Sequence, residues 1–213
     1  MKLSKYIDYS LLKANATESD IKELCRDAKK LDVHAVCVTP CYVSLCKNLL
    51  RDSNISVIGV VGYPLGQNLT ETKVFEARKC FIDGADEIDI VMNVGEFLSK
   101  KYDFVLKELA EIVDVAKNLN KKSKVIIEAS YLSRQEIKKA SLLVLKSGAD
   151  FVKTGTGFAS PATVEQVRLI KSVVREKIGI KPAGGIKTNQ QAMTLIEAGA
   201  TRIGTSSARE ILK

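Results

Sequence analysis

The chain has 213 residues, 46% of them hydrophobic and 27% charged, which favours a single globular domain over residues 1–213. Its formal net charge is +8, which suits an enzyme of anionic small-molecule substrates. Lysine pairs such as Lys29–Lys30 and Lys138–Lys139 are scattered among acidic residues, which argues against a nucleic-acid-binding surface. No apolar run approaches the about 20 residues of a membrane-spanning helix, and the start lacks a signal peptide's apolar core, so we expect a cytoplasmic protein without a membrane partner.

Short apolar runs typical of buried strands recur along the chain. In chain order the predicted strands are KYIDYSLL, HAVCV, SVIGVVG, DEIDIVM, KVIIEA, DFVKT, GIKPAGG and TRIGTSS. Amphipathic stretches with helix start signals lie between them. The predicted helices are 19–31, 40–50, 70–81, 102–119, 133–147, 163–178, 189–198 and a short last helix from Ser206.

Three joints between a helix and the next strand share a Gly-Ala pair: DGADEIDIVMN, SGADFVKTGTG and EAGATRIGTSS. Glycine suits the left-handed position that ends a helix, and the β-rich run after it begins a strand. Alternation of β and α elements indicates a parallel sheet. Eight such units favour a closed (β/α)8 barrel, the TIM barrel of the α/β class, over an open doubly wound sheet.

Two lysines end neighbouring predicted strands, Lys153 the sixth and Lys181 the seventh. Active sites of such barrels lie at these strand ends. A free lysine has a pKa of about 10.4, and a neighbouring ammonium and desolvation both lower that value, which is the route to a Schiff-base lysine. The pair therefore predicts one nucleophile and one electrostatic activator. The alternative for Lys153 is an ordinary surface lysine at a strand end.

Three carboxylates near strand ends are further candidates. Asp89 alternates with Ile88 and Ile90, so it should face the barrel interior, where it could balance the charge of the lysines and pass protons. The alternative is an ion pair that only orders the barrel centre. Asp8 suits a brace for the first strand, and Glu128 suits a charge-balancing role.

Cysteine and histidine residues are weaker candidates for a metal site or a nucleophile. The five cysteines form no C-x-x-C pair and His34 is the only histidine, which is a poor set of zinc ligands. A thiol nucleophile formed by Cys37 and His34 is an alternative, but the apolar run HAVCV favours a small core residue at Cys37. We therefore expect no metal and no cofactor.

Glycines and hydroxyls after the last strands indicate an anion site. Glycine lets backbone N–H groups approach an anion, and a helix N-terminus adds its positive dipole end. Barrel enzymes commonly bind phosphate in the loops that follow the seventh and eighth strands. The predicted phosphate-binding residues are Thr156, Gly157, Gly184, Gly185, Ser206 and Ser207. The alternative is a plain N-cap and a plain turn.

Taken together, these runs resemble a known family. DEIDIVMN, KVIIEA, ADFVKTGTGF, GIKPAGGIKT and RIGTSSA resemble, in order, the signature segments of the deoxyribose-phosphate aldolases. YIDYSLLK, AVCVTPCYV and VVGYPLG resemble the N-terminal ones, so the resemblance covers nearly the whole chain. The pairing of FVKTGTGF with KPAGG is specific, whereas either segment alone also occurs in other Schiff-base aldolases.

The resemblance implies a metal-free class I aldolase that interconverts 2-deoxy-D-ribose 5-phosphate with acetaldehyde and D-glyceraldehyde 3-phosphate, in deoxyribose catabolism. It implies Lys153 as the Schiff-base residue, Lys181 as the second lysine and Asp89 as the proton relay. The family more often has serine at the position of Gly155, and a glycine there is expected to loosen the strand end.

Other functions stay open from the sequence alone. One is another Schiff-base barrel aldolase with a different donor. Others are a phosphate-binding barrel without covalent chemistry and a basic nucleic-acid-binding module. A homo-oligomer, such as a dimer, is compatible with all of these.

Overall fold

The computed structural model describes residues 2–213 and shows parallel strands that alternate with helices. The strands are β1 (Ile7–Leu11), β2 (Ala35–Val38), β3 (Ser56–Val61), β4 (Glu87–Val91), β5 (Lys122–Ile126), β6 (Phe151–Lys153), β7 (Gly179–Lys181) and β8 (Ile203–Thr205). The helices are α1 (Glu18–Leu31), α2 (Val43–Leu50), α3 (Thr70–Ile82), α4 (Val94–Leu98), α5 (Tyr102–Asn118), α6 (Arg134–Ser147), α7 (Val164–Val174), α8 (Asn189–Glu197) and α9 (Ala208–Ile211).

The strands close into a barrel. Each strand pairs in parallel with its neighbour in sequence from β1 to β7, and β8 returns to β1 through the pair Ile7↔Ile203. Strands β7 and β8 are joined by a single isolated bridge, Ala183↔Gly204. The N–H of Gly204 donates to the carbonyl of Pro182 there at 2.9 Å. The α/β TIM barrel predicted from the sequence is therefore confirmed. Seven strands lie within the predicted runs, and β5 begins two residues before its predicted run KVIIEA.

Side chains alternate between the helix layer and the barrel interior, as the strand period of two requires. Residues such as Ile88, Ile90 and Val152 belong to the large outer core that packs against the helices. The interior is apolar on the side of β2 and β3, where a small separate cluster contains Cys37 and Ile58. Buried charged residues fill the rest: Asp8, Glu87, Asp89, Lys124, Lys153, Lys181 and Arg202.

Helix boundaries follow local capping chemistry. The side chains of Thr17, Ser133, Thr163 and Thr188 form capping boxes that begin α1, α6, α7 and α8. The helix predicted over 163–178 ends at Val174, because the following residue adopts a positive φ of 51°. Within residues 2–213 no helix combines the length and the apolar character that crossing a membrane requires.

Short helical segments account for the other differences. Helix α4 was missed; it is capped by Asn93, whose side chain accepts the N–H of Glu96. The helix predicted over 40–50 begins instead with the 3-10 turn Pro40–Tyr42. The last helix, α9, spans four residues and begins after Ser207, so the positive dipole end expected for the anion site comes from a helix of about one turn.

Candidate active site

A single carboxylate oxygen joins the two predicted lysines. Lys153 and Lys181 occupy paired positions on β6 and β7, and both side chains point into the barrel. Each Nζ lies 2.8 Å from Oδ2 of Asp89, which reaches them from the middle of β4. Strand alternation places Asp89 inside, as the sequence predicts, because its neighbours Ile88 and Ile90 pack outward. The structure thus brings the three predicted catalytic residues into direct contact.

Further charged residues extend this contact through the barrel. The Nζ of Lys124 lies 3.0 Å from Oδ1 of Asp89 and also contacts Glu87. Lys181 lies 2.6 Å from Oδ2 of Asp8, and Arg202 donates to the other oxygen of Asp8 at 2.8 Å. Asp8 therefore binds the second lysine directly and does more than brace β1.

Mutual attraction keeps these groups charged despite their burial. Burial alone would raise the pKa of Asp89, but Lys124, Lys153 and Lys181 outweigh it and hold that pKa well below its usual range. Burial would lower the pKa of Lys181, and the carboxylates of Asp8 and Asp89 reverse this and raise it. Burial likewise acts against the ammonium of Lys124, whose pKa is raised by Asp89 and Glu87. Lys181 is therefore a fixed cation beside Lys153.

The cations of this network outnumber the anions. Its members are Lys124, Lys153, Lys181, Arg202, Asp8, Glu87 and Asp89. Four basic residues face three carboxylates, so one of the basic residues has no carboxylate of its own. Lys153 makes the fewest carboxylate contacts, a single one to an oxygen that it shares with Lys181. The arrangement therefore suits Lys153 as the nucleophile and Lys181 as the residue that stays charged.

The cysteine and histidine alternative is not supported. His34 lies at the opposite end of the network, with Nε2 3.3 Å from Oε1 of Glu87. Cys37 is buried in the apolar side of the barrel, with Sγ 3.9 Å from Oδ2 of Asp89. Burial, followed by the charge of Asp89, raises the pKa of the Cys37 thiol to about 11. The two side chains thus have different partners, and Cys37 is the small core residue that the run HAVCV favours.

A cavity of about 250 Å³ opens above Lys153 and Lys181 at the carboxyl ends of the strands. Its wall includes Ser10, Tyr63 and Phe158 besides the predicted glycines and hydroxyls. All six predicted phosphate-binding residues line it: Thr156, Gly157, Gly184, Gly185, Ser206 and Ser207. The predicted nucleophile and the predicted anion site therefore share one cavity.

Hydrogen bonds divide the predicted phosphate-binding residues into two groups. Within residues 2–213, the backbone N–H groups of Gly157, Gly184, Gly185 and Ser206 donate to no protein acceptor. These four donors are available to an anion in the cavity. The N–H of Ser207, by contrast, donates to Oγ1 of Thr205 at 2.8 Å, which leaves its hydroxyl for a ligand.

Thr156 belongs to the second group. Its N–H and its hydroxyl both donate to Oε2 of Glu128, at 3.1 and 2.5 Å. Glu128 makes no ion pair with the lysines and binds this loop instead, unlike the charge-balancing role expected for it. The hydroxyl of Tyr63 donates to the carbonyl of Thr156 at 2.9 Å. Burial is the main cause that raises the pKa of Tyr63. Thr156 therefore lines the cavity with its own donors already used.

Three interior residues were missed by reasoning from strand ends. Glu87 and Lys124 lie inside their strands, and Arg202 immediately precedes β8. The signal for them was the same alternation that located Asp89, because a charged residue two positions from an inward-facing residue also faces inward. No group of three or more His, Cys, Asp or Glu side chains suited to a metal ion occurs in the described part of the chain.

Comparison with known proteins identifies the family of this chain. The model of the DeoC/LacD family aldolases matches residues 2–213. The chain belongs to this family. A deoxyribose-phosphate aldolase of Caldicellulosiruptor saccharolyticus is 50% identical over 212 residues, which are 99% of this chain and 96% of the relative. The family suggested by the sequence motifs is therefore confirmed, and the protein is an aldolase, a carbon–carbon lyase.

Solved structures agree with the fold over the same length. The aldolase QR15 superposes with a TM-score of 0.94 at 45% identity, covering 99% of this chain and 94% of that one. The tetrameric deoxyribose phosphate aldolase from Aeropyrum pernix superposes with a TM-score of 0.92 at 33% identity, covering 99% and 89%. The barrel and its strand ends are thus those of a family aldolase along the whole chain.

The contact of Lys124 with Asp89 leads to a testable prediction. Replacing Lys124 by methionine removes one of the cations that hold the pKa of Asp89 down, so that pKa should rise and the acid limb of the pH profile should move to higher pH. We expect kcat/KM for aldol cleavage to fall about tenfold or more at neutral pH, the scale of one charge lost from a buried site. Steady-state kinetics across pH measure both effects.

The matched control is Lys122→Met, at the exposed start of the same strand. It should leave the rate and the pH profile unchanged. Lys124 would be reduced to a packing residue if its variant kept the wild-type acid limb.

Proposed function

We propose that the protein is a class I aldolase that reversibly cleaves 2-deoxy-D-ribose 5-phosphate to acetaldehyde and D-glyceraldehyde 3-phosphate. The observation that carries the proposal is Lys153 in contact with Asp89 and beside the fixed cation Lys181, under a cavity whose far wall offers free backbone N–H groups. We assign the whole of residues 1–213 to this activity as one domain, without metal or cofactor.

The first half of the reaction builds the iminium. The neutral amine of Lys153 attacks the C1 aldehyde of the open-chain sugar, and the carbinolamine takes up a proton from solvent and loses water to give an iminium at Nζ. An iminium carries the same single charge as the ammonium that it replaces. The contact of Lys153 with Oδ2 of Asp89 can therefore persist through this change, which favours the charged intermediate over the free aldehyde.

The second half breaks the carbon–carbon bond. The C3 hydroxyl gives up its proton to water held beside the Asp89 and Lys181 pair, the C2–C3 electrons flow into the iminium, and glyceraldehyde 3-phosphate leaves. The remaining enamine takes a proton at C2 and becomes the acetaldehyde iminium. Water then hydrolyses this to acetaldehyde and returns the free amine of Lys153. Because Asp89 is held strongly as a carboxylate, we assign it mainly charge stabilisation and assign water the carriage of the proton.

The other end of the substrate carries the phosphate. We assign its binding to the N–H groups of Gly157, Gly184, Gly185 and Ser206 together with the hydroxyl of Ser207. Gly157, Gly184 and Gly185 all have positive φ values, which only glycine adopts without strain. A side chain at Gly185 would meet Pro161 at 2.6 Å, so these loops come close together only because they lack side chains.

Borohydride trapping tests the covalent step. Acetaldehyde should condense with the amine of Lys153, and reduction should leave an N-ethyl-lysine on the peptide that carries it. Mass spectrometry of digested protein should find this adduct in the wild type and in the surface control Lys138→Arg, and not in Lys153→Ala. Activity should survive prolonged chelation.

Each alternative has its own result in that experiment. An adduct on Lys181 would exchange the roles of the two lysines. No adduct on either lysine, with aldol activity lost to chelation, would refute the Schiff-base mechanism. Trapping by a different donor in preference to acetaldehyde would indicate another aldolase specificity.

The phosphate assignment is tested at Ser207. The variant Ser207→Asp places a carboxylate at the cavity wall, and it should raise KM for deoxyribose 5-phosphate by about tenfold or more through repulsion of the phosphate. Unphosphorylated deoxyribose should be affected much less. The neutral control Ser207→Asn, which is isosteric with the aspartate variant, loses the same hydroxyl without adding a charge, so it should raise KM for the phosphorylated sugar much less and leave deoxyribose close to the wild type. Equal losses on both substrates in the aspartate variant would place the anion site elsewhere.

We propose that the aldolase is a homo-oligomer. Phe75 and Ile82 on α3 and Leu119 after α5 expose between 50% and 78% of their surface, an unusual exposure for large apolar residues. The Aeropyrum pernix relative is described as a tetramer. Light scattering should give a mass above that of the 23.3 kDa chain, and Phe75→Asp should reduce it. A monomer in the wild type would contradict the proposal.

We also propose the cytoplasm as its compartment. All five cysteines are free in the structure, and four of them are buried. Free thiols persist in a reducing compartment, and a phosphorylated sugar is an intracellular metabolite class. No membrane or nucleic-acid partner is assigned.

A further inference from the structure

Glu128 is a buried carboxylate whose partners are not the catalytic lysines. It follows β5 in a left-handed conformation, with φ of 46°, and it is 5% exposed. No lysine, arginine or histidine of the described chain pairs with it within 4.0 Å, although the lysine network occupies the neighbouring interior. Its side chain instead reaches the loop that follows β6. A desolvated carboxylate is costly unless its hydrogen bonds compensate, so these bonds should matter.

The bonds of Glu128 converge on Thr156. One oxygen, Oε2, accepts both the N–H and the hydroxyl of Thr156. The same hydroxyl accepts the N–H of Phe158 at 3.2 Å, and Tyr63 donates to the carbonyl of Thr156 at 2.9 Å. Every polar group of Thr156 is therefore held by the protein. This residue is a fixed point in an otherwise glycine-containing loop.

The fixed point lies between the two ends of the substrate site. Thr156 follows Lys153 by three residues and directly precedes Gly157, whose free N–H lines the cavity at φ of 94°. A glycine in that region has wide conformational freedom, so its N–H direction depends on what holds its neighbours. Glu128 and Tyr63 hold the preceding residue through the N–H, hydroxyl and carbonyl of Thr156, so their bonds leave the N–H of Gly157 free for a ligand.

Gly155 completes the arrangement. A Cβ built on Gly155 would lie 2.6 Å from Oε1 of Glu128, the second oxygen of the same carboxylate. The φ of Gly155 is not in the positive range, so the backbone conformation does not require glycine and the relevant constraint is the space beside Glu128. A side chain at this position would push the carboxylate away and loosen its bonds to Thr156.

We propose that Glu128 is a positioning residue for the phosphate-bearing end of the substrate, acting through Thr156 on the N–H of Gly157, and that Gly155 leaves the space its carboxylate needs. This inference rests on the proposed function, because it requires a phosphorylated substrate of the Lys153 site. The two residues should then behave as one unit. They should affect recognition of the phosphate more than the chemistry at Lys153.

The experiment compares Glu128→Ala, Glu128→Gln, Gly155→Ala and the double variant Gly155→Ala with Glu128→Ala. Each is assayed with deoxyribose 5-phosphate and with deoxyribose, and each is trapped with acetaldehyde and borohydride. In Glu128→Ala the ratio of kcat/KM for the phosphorylated to the unphosphorylated sugar should fall about tenfold, the scale of lost hydrogen bonds to a charged group. The loss should appear mainly in KM, and Lys153 should still be trapped.

The other variants separate positioning from stability. Glutamine keeps an acceptor oxygen, so Glu128→Gln should recover part of the ratio. Gly155→Ala should lower the ratio of the two kcat/KM values as Glu128→Ala does, because its side chain displaces the Glu128 carboxylate. The double variant should have the same ratio as Glu128→Ala, because it lacks both the carboxylate that binds Thr156 and the clash with it. Additive losses would overturn the link between the two residues.

Equal losses on both sugars would overturn the positioning role and leave Glu128 a structural residue. Should Glu128→Ala fail to fold, Thr156→Val decides, since it removes the same hydroxyl bond from the other side and should lower the same ratio. A wild type that forms no adduct and cleaves neither sugar would refute the proposed function, a result distinct from all of these.

Discussion

The barrel interior depends on one shared carboxylate. Asp89 accepts Lys153 and Lys181 on one oxygen and Lys124 on the other, so it binds three buried ammonium groups. Removing it would leave those cations without their common partner, and uncompensated buried charge costs several kcal/mol per group. Strands β5 to β7 each place a lysine inside the barrel beside this carboxylate of β4, and Glu87 and Asp8 are further partners of Lys124 and Lys181. The need for Asp89 is thus structural and chemical at once.

That arrangement also sets the chemistry available to Lys153. Its only carboxylate contact is already engaged by Lys181, whose own charge is secured by Asp8 as well. Lys153 can therefore react without taking a carboxylate from its other partner, whereas loss of Lys181 would leave both Asp8 and Asp89 without one of their cations. In the proposed mechanism, the iminium at Lys153 carries a positive charge beside Asp89. Preorganised charge of this kind needs no rearrangement during the reaction.

Period-two alternation made much of this site predictable. It identified Asp89 as inward-facing, and the strand ends identified Lys153 and Lys181. Lys124 escaped because only the last residues of each run were searched, although it obeys the same alternation. The contact of Glu128 with Thr156 could not be predicted, because it depends on a left-handed turn after β5 and on loop geometry that has no period. Local rules therefore predicted the contact of Lys153, Lys181 and Asp89 and missed the residues that support it.

The loops proposed to bind the phosphate must meet two opposing requirements. Backbone N–H groups reach a phosphate closely only from glycine-rich loops, yet such loops lose order easily. Chains of this family more often have serine at the position of Gly155, and glycine there was expected to loosen the strand end. The bonds from Glu128 and Tyr63 to Thr156 oppose that loosening. Because a side chain at Gly155 would displace the Glu128 carboxylate, glycine in this chain lets that carboxylate keep its bonds to Thr156.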